Sequence, residues 1–142
     1  MLSAYPACFY KEKEGYSVVF PDLDGIATCG DTLEQAFEMA VDCMAGYLFW
    51  LKQDGEDYPK ASEIDTIDPM EMAKELEFPY ELAFVNMVTV DVEAYAKVHF
   101  EKAVKKTLTI PAWLNKAAME HDINFSQVLQ EALKEKLHLK VN

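Results

Sequence analysis

The last third of the chain constrains its fold most. It runs Lys105-Lys106-Thr107-Leu108-Thr109-Ile110-Pro111, then an amphipathic stretch to His121, a short break, and a second amphipathic stretch from Asn124-Phe125-Ser126 to Leu137. In an extended segment Leu108 and Ile110 fall on one face and Lys105, Thr107 and Thr109 on the other. Pro111 cannot donate to a sheet ladder and its fixed φ suits a first helical position, so the strand is expected to stop and a helix to start there. Leu114, Ala117, Ala118 and His121 recur at helical spacing, with Trp113 beside them. Asn124 is the expected cap of the second helix, with Gln127 three residues on and Val128, Leu129, Ala132, Leu133 and Leu137 as its stripe. One short strand and two short helices are too little to bury a core. Pairing with a second copy about a two-fold axis satisfies the strand edge and covers both stripes, so the expectation is an obligate dimer, with tetramers left open.

Residues 103–138 resemble the ribbon-helix-helix family. In that family the outward side chains of a paired ribbon read base edges in the DNA major groove, and the N-terminus of the second helix holds a phosphate. The resemblance implies Lys105, Thr107 and Thr109 on bases and the amides of Phe125 and Ser126 on the backbone. A strand-helix-helix module that dimerises without touching DNA is the alternative reading of the same pattern.

Charge divides the chain at the same place. Residues 1–100 carry six Lys against 20 acids, a net of −14, and residues 101–142 carry seven Lys against five acids, a net of +2. An acidic front module joined to a mildly basic tail fits a nucleic-acid-facing tail on a different kind of domain. Every one of the 13 basic residues is Lys. The bidentate Arg–guanine contact is therefore absent, and readout would rest on Lys, Thr and DNA shape. A net of +2 implies modest affinity per dimer, with cooperative or multi-site binding making up the difference.

The front module begins with two strand-like runs, Leu2 to Tyr10 and Tyr16 to Phe20, joined through a charged stretch ending at Gly15, and these read as a hairpin. Pro21-Asp22-Leu23-Asp24-Gly25 is turn chemistry, and Thr32 with Gln35 has the spacing of a capping box. The helix that follows puts Leu33, Ala36, Phe37, Ala40, Val41, Met44, Leu48 and Leu51 on one side and ends near Asp54-Gly55. A further strand is expected over Leu82 to Val92. The front module therefore reads β-β-α-β, and the whole chain as α+β: a small sheet-and-helix domain at 1–100 and a strand-helix-helix domain at 101–142.

Tyr5-Pro6-Ala7, the run Tyr16-Ser17-Val18-Val19-Phe20-Pro21-Asp22-Leu23-Asp24-Gly25, and Gly30-Asp31-Thr32-Leu33-Glu34-Gln35-Ala36 together resemble the HicB family, the antitoxin half of HicA/HicB toxin–antitoxin pairs. The resemblance covers residues 1–60, is compatible with the strand near 82–95, and includes a ribbon-helix-helix tail among the C-terminal modules of that family. The acidic stretch 59–79 departs from it and has no placement. The resemblance implies a partial ribonuclease-H-like domain without catalysis that covers HicA, a small basic RNA-cleaving toxin, while the tail represses the shared operon. The alternative is a stand-alone ribbon-helix-helix regulator whose front domain binds another protein or a ligand. For a −14 module a basic partner is an apt electrostatic match, and a solvated face that promotes solubility is the alternative use of the same acids.

Enzyme chemistry has little footing. Asp22, Asp24 and Asp31 are close in sequence, but two sit in a Pro/Gly turn and the third abuts a helix start, where a carboxylate favours the dipole. His99, His121 and His138 are scattered, and Cys8, Cys29 and Cys43 form no paired motif. No cofactor or metal is expected, and the chain is read as cytoplasmic, without a signal peptide or membrane span. Phe49 and Trp50 exceed what the long helix needs for its stripe. They are the candidate toxin-binding anchors, with core packing as the competing use.

Overall fold

The computed structural model describes residues 1–77 and 79–139. The chain forms two compact units, Met1–Lys102 and the part beginning at Ala103.

In the first unit β1 (Ser3–Lys11) and β2 (Tyr16–Phe20) form the expected hairpin, with Glu12 N donating to Gly15 O at 3.0 Å. Gly15 has φ +90°, and a Cβ there would lie 2.6 Å from the Gly30 carbonyl oxygen, so both backbone angle and space require glycine. β3 (Ile26–Gly30) was not expected as a strand. It pairs antiparallel with β2 from Tyr16↔Gly30 to Phe20↔Ile26. β4 (Leu82–Val90) pairs antiparallel with β1 along its whole length, from Ser3↔Val90 to Lys11↔Leu82. The sheet order is β3-β2-β1-β4.

The long helix α1 (Leu33–Gln53) starts where Thr32 Oγ1 accepts from the Gln35 amide at 3.1 Å, while the Gln35 side chain accepts from the Asp31 amide at 2.7 Å. This is a capping box displaced by one residue at its return bond. A Cβ on Gly30 would lie 2.5 Å from the Ala36 amide nitrogen, so glycine here lets β3 pass directly into the helix. α1 covers one face of the sheet. Tyr5, Ala7, Phe9, Val18 and Phe20 meet Ala36, Ala40, Met44 and Leu48 in the main core, and Val88, Val90 and Val92 complete it.

The acidic stretch that had no placement begins on the side of the main core, where Tyr5 OH donates to Pro59 O and Ala61 packs, and its later part covers the opposite face. After a 3-10 turn (Ile64–Thr66), Asp68 caps α2 (Pro69–Leu76) by accepting from the Met70 amide, with Pro69 in the first turn. Ala73 closes a second, smaller cluster with Cys8, Tyr10 and Val19. After β4, Asp91 caps α3 (Val92–His99), which packs on α1 through Tyr95 and Phe100. The expected β-β-α-β order is thus incomplete by one strand and two short helices, within the expected α+β class.

In the second unit α4 (Ala112–Glu120) and α5 (Phe125–Lys136) fall where periodicity put them, and Asn124 Oδ1 accepts from the Gln127 amide at 3.1 Å. Pro111 stands one position before α4. The strand expected at 105–110 is absent from the single chain. A strand exists only with a ladder partner, and that expectation placed the partner on a second copy.

Candidate protein and nucleic-acid interfaces

The turn that follows β2 is fixed by three backbone bonds: the amides of Leu23 and Gly25 donate to Phe20 O and that of Ile26 to Leu23 O. Asp24 and Gly25 take the left-handed conformation, φ 54° and 67°, which Asp tolerates and Gly favours. Leu23 is fully buried in the core. The three aspartates of this region take different structural tasks, two through the carboxylate and one through the backbone amide. Asp22 accepts from both the amide and the hydroxyl of Ser62, at 2.8 and 2.6 Å. Asp24 accepts from Tyr47 OH at 2.7 Å, a bond that raises the Tyr47 pKa. Asp31 gives its amide to the helix cap. No group of three or more His, Cys, Asp or Glu able to hold a metal occurs among the described residues.

The thiols do not converge. Burial raises the pKa of Cys8 and Cys43, which keeps both protonated, and Cys29 is exposed. His99 stacks on Tyr95 at 4.0 Å, and His121 Nδ1 lies 2.8 Å from the Ala117 carbonyl. His138 follows α5. None of the three histidines shares a site with another.

Among the described residues of the first unit few acids pair with a cation. Among the described residues the ion pairs are Met1 N with Asp91 and Lys52 with Glu93, both exposed. Asp91 is held below the usual carboxylate range first by the Ala94 amide and then by the N-terminus. Residues 54–81 alone hold 10 acids and two Lys, a net of −8. The two aromatic candidates separate here. Phe49 lies partly buried against the core, 5.5 Å from the Phe100 ring, whereas Trp50 sits edge-on to Phe49 with 64 % of its surface exposed. Phe49 is first of all a packing residue, and Trp50 is the available one.

The second unit has no buried residue among those described. Leu108, Ile110, Phe125, Val128, Leu129 and Ala132 line one groove, with Lys106 and Ser126 also on its wall. Lys105, Thr107 and Thr109 are exposed and do not line the groove, whereas Lys106, Leu108 and Ile110 of the same segment do. Phe125 and Ser126 begin α5 directly after its cap. The structure thus brings Phe125 and Ser126 into the same groove as the apolar side of the segment. Phe49 and Trp50 belong to the other unit.

Residues 5–132 match the family described as the HicB_like antitoxin of bacterial toxin-antitoxin systems. The chain belongs to that family. It is 30 % identical over 110 residues to an uncharacterized 14.9 kDa protein of the rep-hol intergenic region of Haemophilus phage HP1, covering 78 % of this chain and 74 % of the phage protein. A shorter stretch of 58 residues is 34 % identical to antitoxin HicB 2 of Photorhabdus laumondii, 41 % of this chain and 42 % of that one. Among solved structures, the chain resembles one from a toxin–antitoxin complex of Streptococcus pneumoniae, with 33 % identity, a TM-score of 0.63, and coverage of 96 % of this chain and 99 % of the other. The HicB-like match spans both units, and with it the turn, the helix cap and the acidic connection described above. No helix among the described residues is long and apolar enough to cross a membrane. Side-chain periodicity gave no sign of one feature of the HicB-like sheet: β4 is an edge strand, a property of the pairing order.

Proposed function

We propose that this HicB-like chain is a two-part, non-catalytic antitoxin of the cytoplasm. Its first unit, a partial ribonuclease-H-like domain, binds and neutralises a small basic RNA-cleaving toxin of the HicA type. Its second unit, as a two-fold ribbon-helix-helix dimer, binds operator DNA and represses the operon that encodes both proteins.

The observation that carries the two-part reading is the contrast between the units. The first has two apolar clusters of its own and a net charge of −14 over residues 1–100. The second has no buried residue among those described and lays six of its apolar side chains along one groove. A unit of about 40 residues whose described part buries no core needs a partner to be stable, and a second copy would supply the missing strand and the missing cover together. The acids of the first unit favour a basic partner and repel nucleic acid, so DNA falls to the other end of the chain.

The test is to co-express the full chain with the small basic protein encoded in the adjacent reading frame. Expected are a stable complex by size exclusion with light scattering, arrest of RNA cleavage, and a gel shift with the DNA upstream of the gene. Failure to bind that protein overturns the antitoxin role in favour of a stand-alone regulator. A full-length chain that stays monomeric at micromolar concentration overturns the ribbon.

A further inference from the structure

We infer that β4 docks an extended segment of the cationic partner as a fifth strand of the sheet. The inference rests on the toxin-binding reading and adds to it the place and the mode of binding.

The backbone register fixes which amides are open. In an antiparallel pair, opposed residues alternate between exchanging both hydrogen bonds and exchanging none. The Glu12 amide bonds to Gly15 O, in register with Lys11↔Tyr16, so Tyr10↔Ser17 and Cys8↔Val19 are bonded pairs. The residues of β1 between them turn their backbone groups to the other side, toward β4. By the observed register Phe84, Asn86 and Val88 are therefore bonded to Phe9, Ala7 and Tyr5. Ala83, Val85, Met87 and Thr89 point their N–H and C=O groups away from the sheet, and among the described residues no strand pairs with them. Pro6 agrees with this alternation. Its missing N–H falls on the β2 side of β1, beyond the last bonded pair with that strand.

Edge strands of soluble proteins are ordinarily guarded by charge, proline, a bulge or brevity. β4 has nine residues with no charge and no proline, paired without interruption along β1. It can therefore accept a strand without burying a carboxylate, and Glu81 and Asp91 stand just outside its ends. Charge selects the occupant. Two copies of a −14 unit repel at close approach, whereas a basic segment is attracted to the same surface and gains backbone bonds on arrival.

The experiment is amide hydrogen exchange on the full chain, free and bound to the basic protein of the adjacent reading frame, with Met87→Pro and Met87→Ala measured for binding. Pro at Met87 removes an outward N–H and leaves the ladder to β1 intact, and the side chain is 37 % exposed. Expected is fast exchange at Ala83, Val85, Met87 and Thr89 in the free chain, slowing at least about tenfold in the complex. Met87→Pro should weaken binding by about tenfold or more, and Met87→Ala by far less. A complex that forms with those amides still fast overturns the inference and leaves the antitoxin role standing. Protection already present in the free chain overturns it too, because the chain then covers its own edge. If Met87→Pro fails to fold, the exchange measurement on the native chain decides. No complex at all with the native chain removes the toxin reading and this inference with it.

Discussion

Asp22 shows how a carboxylate that invites a functional reading is absorbed by structure. It receives both the amide and the hydroxyl of Ser62, so it fastens the connection after α1 to the turn after β2. Two bonds to a charged acceptor within a part-buried site are worth about 1.5–3 kcal/mol each, less the solvation regained on opening. Asp22→Ala is expected to lower unfolding stability by about 2 kcal/mol in urea titration, within that range. Added Mg²⁺ or Mn²⁺ should not shift the melting temperature of either form. A melting temperature of the native chain that rises with metal would return Asp22 and its neighbours to a ligand role. Asp24 and Leu23 follow the same logic: one holds Tyr47 from a left-handed backbone, the other is fully buried. Turn chemistry was legible in these residues. Their partners were not, because Ser62 and Tyr47 lie 40 and 23 residues away.

Elements were legible in proportion to the contrast of their pattern. α1 carries a stripe over its whole length and a capping pair at its start, and the hairpin has Gly15 where φ must be positive. β3 was missed because Ile26–Gly30 has one large apolar residue and ends in glycine. It is a strand by virtue of pairing with β2, which is a tertiary effect. α2 had its signal, Asp68 before Pro69, but Ala73 is its sole buried residue and the surrounding acids hid so thin a stripe. The segment 105–110 is the opposite case, a clear alternation without a ladder in one chain. If it becomes the ribbon, replacing Lys105, Thr107 and Thr109 together with alanine should abolish specific operator binding while circular dichroism and dimer mass stay unchanged. Each good base contact contributes about 1–3 kcal/mol of discrimination. A folded triple variant with native gel-shift affinity would rule out this face as the reader.

At the scale of the whole molecule, the chain segregates charge: −14 in residues 1–100, of which −8 lies in 54–81, and +2 beyond. With only Asp91 and Glu93 in ion pairs among the described residues, the remaining carboxylates act together as a long-range field. Such a field governs encounter more than residence. Association with the proposed basic toxin should therefore be fast at low salt and slow as the screening length falls from about 10 Å at 0.1 M to about 3 Å at 1 M. Dissociation should respond far less to salt, since it depends on desolvated apolar contacts and backbone pairing. Trp50 is the cleaner test of the apolar part, because Phe49 also supports the packing around Phe100. Trp50→Ala should raise the dissociation rate about tenfold and leave the association rate and the melting temperature nearly unchanged. Stopped-flow mixing across a salt series, on native and Trp50→Ala chains, separates the two contributions. An association rate indifferent to salt would mean that the acids serve solubility rather than capture. An unchanged dissociation rate would remove Trp50 from the interface, leaving the open edge of β4 as the contact to pursue.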